Sequence, residues 1–142
     1  MANNELIQIH DHQGEGYQPL VSFAGWRVAK LNYLDSIHPS RLSDMERHSK
    51  TDEIFILLKG RGVLILGGNA ARATELTPYE METGKAYNIR QNAWHTILLS
   101  RDASVLLVEN DDTGPDNTEI YALDVSQREG IQCIANRFGF TE

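Results

Sequence analysis

Apolar residues fall along most of this chain in short runs separated by Gly-, Asn- and Asp-containing stretches. That spacing predicts strands and turns. Leu20 to Ala24 forms a first short apolar stretch before Gly25. Trp26 to Leu34 predicts a longer strand, with Trp26 and Val28 on one face and Ala29, Leu31 and Tyr33 on the other. Ile54 to Leu58, Val63 to Leu66, Ala86 to Arg90, Trp94 to Leu99, Ser104 to Glu109 and Ile120 to Val125 read as further strands. Arg72 to Thr77 alternates weakly and predicts an exposed strand, and residues 78–84 predict a turn. Ile54 to Leu58 is apolar on both faces, so either other strands cover both sides or the outer side meets another subunit. The period changes only near the end. Ser126-Gln127-Arg128-Glu129 has the form of a capping box, and Ile131, Ile134 and Phe138 follow at helical spacing, which predicts a helix over 127–137. The strand pattern predicts an all-β sandwich or barrel with one short C-terminal helix.

The stretch from Glu46 to Gly60 begins polar and ends apolar. Ser49 to Asp52 suits a tight turn, which brings His48 and Glu53 side by side at the mouth of two strands. Glu53, Phe55 and Leu57 share one face. An imidazole and a carboxylate placed so suit a metal, and His95 is the best placed second imidazole. Glu46 lies two residues before His48 and on the same strand face. Its carboxylate is either a fourth ligand or a surface group paired with Arg47 or Lys50.

The same stretch resembles the first motif of the cupin superfamily: His-x-His, three or four residues, Glu, six residues, Gly. His48, Glu53 and Gly60 match it, Glu46 stands at the first His position, and Ser40 replaces the glycine expected before it. A second cupin motif reads Gly, five residues, Pro-x-Gly-x-x-His. Gly84 to His95 resembles it, with Arg90 for the Pro, Asn92 for the Gly, and Leu99 where the motif's final Asn belongs. Asn92 preserves the turn because Asn tolerates left-handed backbone. The resemblance implies a double-stranded β-helix, a jelly-roll of two packed sheets around a central cavity. It also implies a divalent ion held by His48, Glu53 and His95, with Glu46 as the further candidate. Zn, Mn, Fe, Ni and Co all accept such ligands.

A cupin of this size suggests a small polar molecule as substrate or ligand. Sugar or sugar-acid isomerases and epimerases are the leading enzyme class, because a non-His residue at the first ligand position is familiar among them; dioxygenases and lyases follow. The alternative is a non-catalytic module that binds or senses a small ligand. Tyr33, Phe55, Tyr87 and Arg90 are candidate pocket residues: the aromatics for stacking and Arg90 for an anionic group. Trp94 is a further aromatic of the second motif.

Length and charge narrow the partners. The 142 residues read as one domain, with 1–16 a polar, flexible segment. That segment carries His10-Asp11-His12, read as exposed, and His38 is read as a surface histidine. The net charge of −7 argues against nucleic acid. No apolar run reaches membrane-spanning length, and neither a signal peptide nor a disulfide is indicated, so a cytoplasmic site is expected. Cys133, the single cysteine, is expected to pack in the interior. Asp111-Asp112 lacks the spacing of an EF-hand loop and reads as an acidic turn. No nucleotide-binding or serine-nucleophile motif is present. Ile54, Ile56 and Leu58 predict a homodimer face.

Overall fold

The computed structural model describes residues 6–140. Among these residues ten strands and one α-helix follow in order: β1 (Gly16–Phe23), β2 (Trp26–Asn32), β3 (Asp44–His48), β4 (Glu53–Lys59), β5 (Gly62–Leu66), β6 (Thr77–Glu80), β7 (Ala86–Ile89), β8 (His95–Leu99), β9 (Ser104–Asn110), β10 (Thr118–Ala122) and α1 (Val125–Arg137). They form two five-stranded antiparallel sheets, β1-β2-β9-β4-β7 and β10-β3-β8-β5-β6. The fold is a double-stranded β-helix with one C-terminal helix, as the strand pattern and the motifs predict.

Two cores hold it. Ala29, Phe55, Leu57, Leu64, Ile97, Leu99, Val105 and Leu107 interdigitate between the sheets. Met45, Val63, Ile65, Leu98, Ile131, Ile134 and Ala135 form a second core where α1 packs on the outer face of the second sheet. Val63 to Leu66 is therefore apolar on both sides because both sides are covered. The helix leaves the outer face of the first sheet open, and Ile54 and Ile56 stay partly exposed there.

Three local expectations need correction. Arg72 to Thr77 is not a strand; the strand is Thr77–Glu80, inside the expected turn. It lies at a sheet edge, where Pro78, with no N–H to donate, pairs opposite Ile65 at little cost. The helix begins at Val125, and its capping box is Asp124 with Gln127, each side chain meeting the other's backbone N–H. Cys133 is exposed, because the apolar stripe of α1 is Ile131, Ile134 and Ala135 and Cys133 lies off it.

Of the N-terminal segment, residues 1–5 lie outside the described residues. The next ten carry no strand or helix, yet their end is tied to β2 through the Asp11–Lys30 ion pair at 2.7 Å and Asn32 Nδ2 donating to the His12 and Gly14 carbonyls. No helix among the described residues is long and apolar enough to cross a membrane.

Candidate metal centre

β3 and β4 are not a hairpin. β3 belongs to the second sheet and β4 to the first, so residues 49–52 carry the chain from one sheet to the other. That crossing sets His48 and Glu53 face to face across the sandwich, His48 Nε2 3.0 Å from Glu53 Oε1. The crossing is fixed by side chains bonding to backbone. Asn110 Nδ2 donates to the Lys50 carbonyl at 2.9 Å, Thr51 Oγ1 accepts from Asn110 N at 3.0 Å, and Asp52 Oδ1 accepts from Gln91 N at 2.8 Å.

The second motif crosses the same way, from β7 in the first sheet to β8 in the second. Asn92 turns it with a φ of 69°, the left-handed conformation that Asn tolerates. Its N–H donates to the His48 carbonyl at 2.8 Å, joining the two crossings. His95 opens β8 and pairs in register with Glu46 of β3, so both face the interior.

Glu46, His48, Glu53 and His95 thereby converge, and one ligand atom from each lies within 4.8 Å of the others. His95 Nε2 is 3.2 Å from Glu53 Oε1. The Glu46 carboxylate stands 3.6 Å from His48 Nε2 and 3.9 Å from His95 Nε2. It faces the cluster rather than Arg47, which pairs with Glu119 and stacks on Trp94 at 4.4 Å. Glu53, His48 and His95 are buried, whereas Glu46 is 44% exposed at the cavity side.

The electrostatics are those of two imidazoles set against two carboxylates. Burial alone would raise the Glu53 carboxyl, but the hydrogen bond from His48 and the His95 imidazole 3.2 Å away outweigh it and hold the group at about 2. Burial would lower the His48 imidazole, but the Glu53 hydrogen bond and the charges of Glu53, Glu46 and Glu109 raise it. The outer nitrogens are occupied: His48 Nδ1 meets Thr118 Oγ1 at 2.9 Å, and His95 Nδ1 donates to the Ala93 carbonyl at 3.0 Å. That fixes both Nε2 atoms toward the cluster, the usual support for a ligating histidine. His95 Nε2 is buried and makes no hydrogen bond of good geometry. A buried polar atom left without a partner is costly, and a cation among these four side chains would satisfy it. The donor set of two imidazoles and two carboxylates fits a divalent ion.

The cluster opens on a cavity of about 750 Å³ between the sheets, lined also by Leu31, Ile37, Phe55, Ile97 and Leu107. Of the four candidate pocket residues only Phe55 lines it, its ring 5.9 Å from that of His95. Tyr87 shares the inner face with Phe55 but lies one strand further out, where its hydroxyl accepts from Glu82 N at 2.8 Å. Tyr33 follows β2 and lines a separate cleft of about 170 Å³ near Arg101. Arg90 is 81% exposed and pairs with Asp52 at 3.3 Å, because the crossing turns it to the surface. His38 lines that same separate cleft, and His10 and His12 bond to Gln8 and Gly16.

The motifs do not reveal a second cluster in the cavity. Glu109, buried on β9, accepts from Arg27 Nη2 at 2.6 Å and from the Tyr17 hydroxyl at 2.7 Å. Burial and the Glu53 charge raise its carboxyl, against the pull of Arg27 and Tyr17. Alternation was a usable signal: Arg27 is a charged residue on the strand face that also carries Ala29 and Leu31, and Glu109 ends a β run.

No family model and no curated protein matches the sequence. Solved structures do. A Streptomyces PAC13 variant with uridine matches with a TM-score of 0.55 at 9% identity, over 87% of this chain and 97% of that one; Pac13 is a nucleoside dehydratase. An RmlC-like cupin family protein with a double-stranded β-helix fold, from Methanocaldococcus jannaschii, gives 0.51 at 14% identity over 75% and 93%. CapF, with the inhibitor 3-isopropenyl-tropolone, gives 0.54 at 14% identity over 81% of this chain and 34% of that one. At such identities the likeness is one of fold.

Proposed function

We propose that this chain, whose fold is that of the cupin superfamily, binds one divalent ion through Glu46, His48, Glu53 and His95 and acts on a small molecule in the adjoining cavity. The observation that carries this reading is the convergence of four ligand atoms within 4.8 Å, with His95 Nε2 buried and unpartnered among them. Four ligands on an octahedral ion leave two positions, enough to hold neighbouring oxygens of a substrate. A divalent ion held by these four residues would supply Lewis-acid chemistry, lowering the pKa of a C–H beside a substrate carbonyl. Isomerisation or epimerisation is therefore the reaction class, with a free carboxylate in the cavity moving the proton. Pac13, an enzyme of the same fold seen with uridine, supports a small-molecule occupant. Elemental analysis of untagged protein, then a metabolite screen of the metal-loaded form with a turnover readout, tests the proposal. Protein that holds no ion under saturating metal would overturn it.

Glu46 separates this chemistry from oxygen chemistry. Without it, two histidines and one carboxylate form the facial triad of non-haem iron oxygenases. Glu46→Gln should weaken metal binding and change its pH dependence, because a carboxylate must be deprotonated to ligate. Unchanged affinity from pH 5 to 8, with oxygen consumption by the iron form, would favour the dioxygenase instead.

The chain also forms a homodimer in this proposal. Val28, Ile54, Ile56, Leu106 and Val108 adjoin on the outer face of the first sheet, beside Phe23 and Trp26, which are 68% and 44% exposed. An apolar sheet face of this kind marks an interface. Light scattering at micromolar concentration should give twice the chain mass, and a monomer mass would refute the dimer.

A further inference from the structure

We propose that the cavity takes an uncharged, partly apolar molecule that presents two neighbouring oxygens to the metal, and that it discriminates against phosphates and carboxylates. This deepens the metal-site reading above and rests on it.

The charges around the cavity carry the argument. Asp44, Glu46, Glu53 and Glu109 line it, and among the described residues Arg27 is the one lysine or arginine in its wall. Four carboxylates against one guanidinium and one divalent ion leave a single negative charge. An anionic substrate would meet that charge after losing its own water, and both effects oppose binding.

Arg27 cannot reverse this, because its fork is already engaged. Nη2 donates to Glu109 Oε2 at 2.6 Å and to the Thr113 carbonyl at 3.3 Å, and Nη1 donates to the Asp111 carbonyl at 3.2 Å. Tyr17 holds the same Glu109 oxygen from the other side at 2.7 Å. The two-toothed grip by which arginine recognises a phosphate or carboxylate is therefore broken up, with Nη2 held by Glu109 and Nη1 by the Asp111 carbonyl. What remains is Arg27 Nε, buried and without a partner, a single donor suited to a neutral carbonyl or hydroxyl oxygen.

The walls agree. Away from the cluster the cavity presents Leu31, Ile37, Ile97, Leu107 and Ile120, which reward an apolar body and offer a bare polyol nothing.

Four ligands with one shared chelating head test this on the zinc-loaded full chain by calorimetry: acetohydroxamic acid, benzohydroxamic acid, and benzohydroxamic acids carrying a 4-carboxamide or a 4-carboxylate. Benzohydroxamic acid should bind about tenfold or more tighter than acetohydroxamic acid, reflecting burial of the ring. The carboxylate should bind about tenfold or more weaker than the carboxamide of the same shape, reflecting the uncompensated charge. Glu109→Gln removes one negative charge and frees the fork, so that gap should close to about threefold or less. A carboxylate that binds wild type as well as the carboxamide overturns the proposal, whatever the variant does. So does binding of none of the four to protein that elemental analysis shows fully loaded with zinc. Protein that takes up no zinc refutes the metal reading itself, and this proposal with it.

Discussion

His48→Ala and His95→Ala should each lose most of the bound metal. Each imidazole gives one Nε2 to the cluster, and its Nδ1 is held by Thr118 or Ala93, so neither can be replaced by movement of a neighbour. The loss in affinity should exceed the roughly 10–100-fold that follows removal of an outer-shell partner. Elemental analysis after dialysis measures it, and full occupancy in both variants would eliminate the site.

The metal-free His95→Ala protein carries a second expected signature. Glu53 is held at about 2, against the upward push of burial, by the His48 hydrogen bond and the His95 imidazole 3.2 Å away. Its folded value lies below its ordinary 4.5, so the stability it adds is present above 4.5 and is lost as pH falls through about 2. Removing the His95 imidazole raises the folded value and narrows that window. Metal-free His95→Ala should therefore unfold in acid at a higher pH than metal-free wild type. Coincident acid transitions would show that His95 does not hold the carboxylate.

The largest effect on stability is expected from Gly60→Ala. Gly60 ends β4 with a φ of 76°, and a Cβ there would stand 2.6 Å from Ala103 Cα and 2.8 Å from Ser100 Oγ. Backbone and a hydrogen-bonded hydroxyl meet it, and Ser100 Oγ is committed to Arg61 N at 2.8 Å, so neither yields cheaply. Left-handed backbone costs about 1–2 kcal/mol and overpacking about 1–3 kcal/mol, together about 3 kcal/mol. Gly84→Ala is the control. Its φ is 86° but nothing lies within 4 Å, so only the conformational part, about 1–2 kcal/mol, applies. Urea unfolding of the metal-free proteins measures both. A Gly60→Ala loss below that of Gly84→Ala would contradict the close approach. Gly60 lies at the far end of β4 from Glu53, so metal affinity of the folded Gly60→Ala protein should match wild type.

Much was legible in the sequence because it depends on local spacing. The two-residue period placed Glu46 beside His48 and put Glu53, Phe55 and Leu57 on one face, and the turn residues before β4 and β8 marked where the chain changes direction. The helix was legible from its own apolar period, though its cap was misplaced by two residues, since Asp124 and Ser126 both precede a suitable partner. Strand β6 was not legible: its alternation is weak, and pairing with β5 creates it.

The pocket was decided only by tertiary structure. Tyr87 faces inward like Phe55 yet stands one strand too far out, and Arg90 follows an inward strand yet leaves at the crossing to meet Asp52. Period fixes which face a residue takes but not which strand lies at the centre of its sheet. Tyr17 and Arg27 come from β1 and β2, a hairpin turned by residues 24 and 25, but Glu109 comes from β9, which reaches β2 only after a long connection. His48 and Glu53, five residues apart, could be joined by the chain itself; Arg27 and Glu109, 82 residues apart, meet because β9 pairs beside β2 and sets them opposite each other in register, where a buried guanidinium requires a carboxylate.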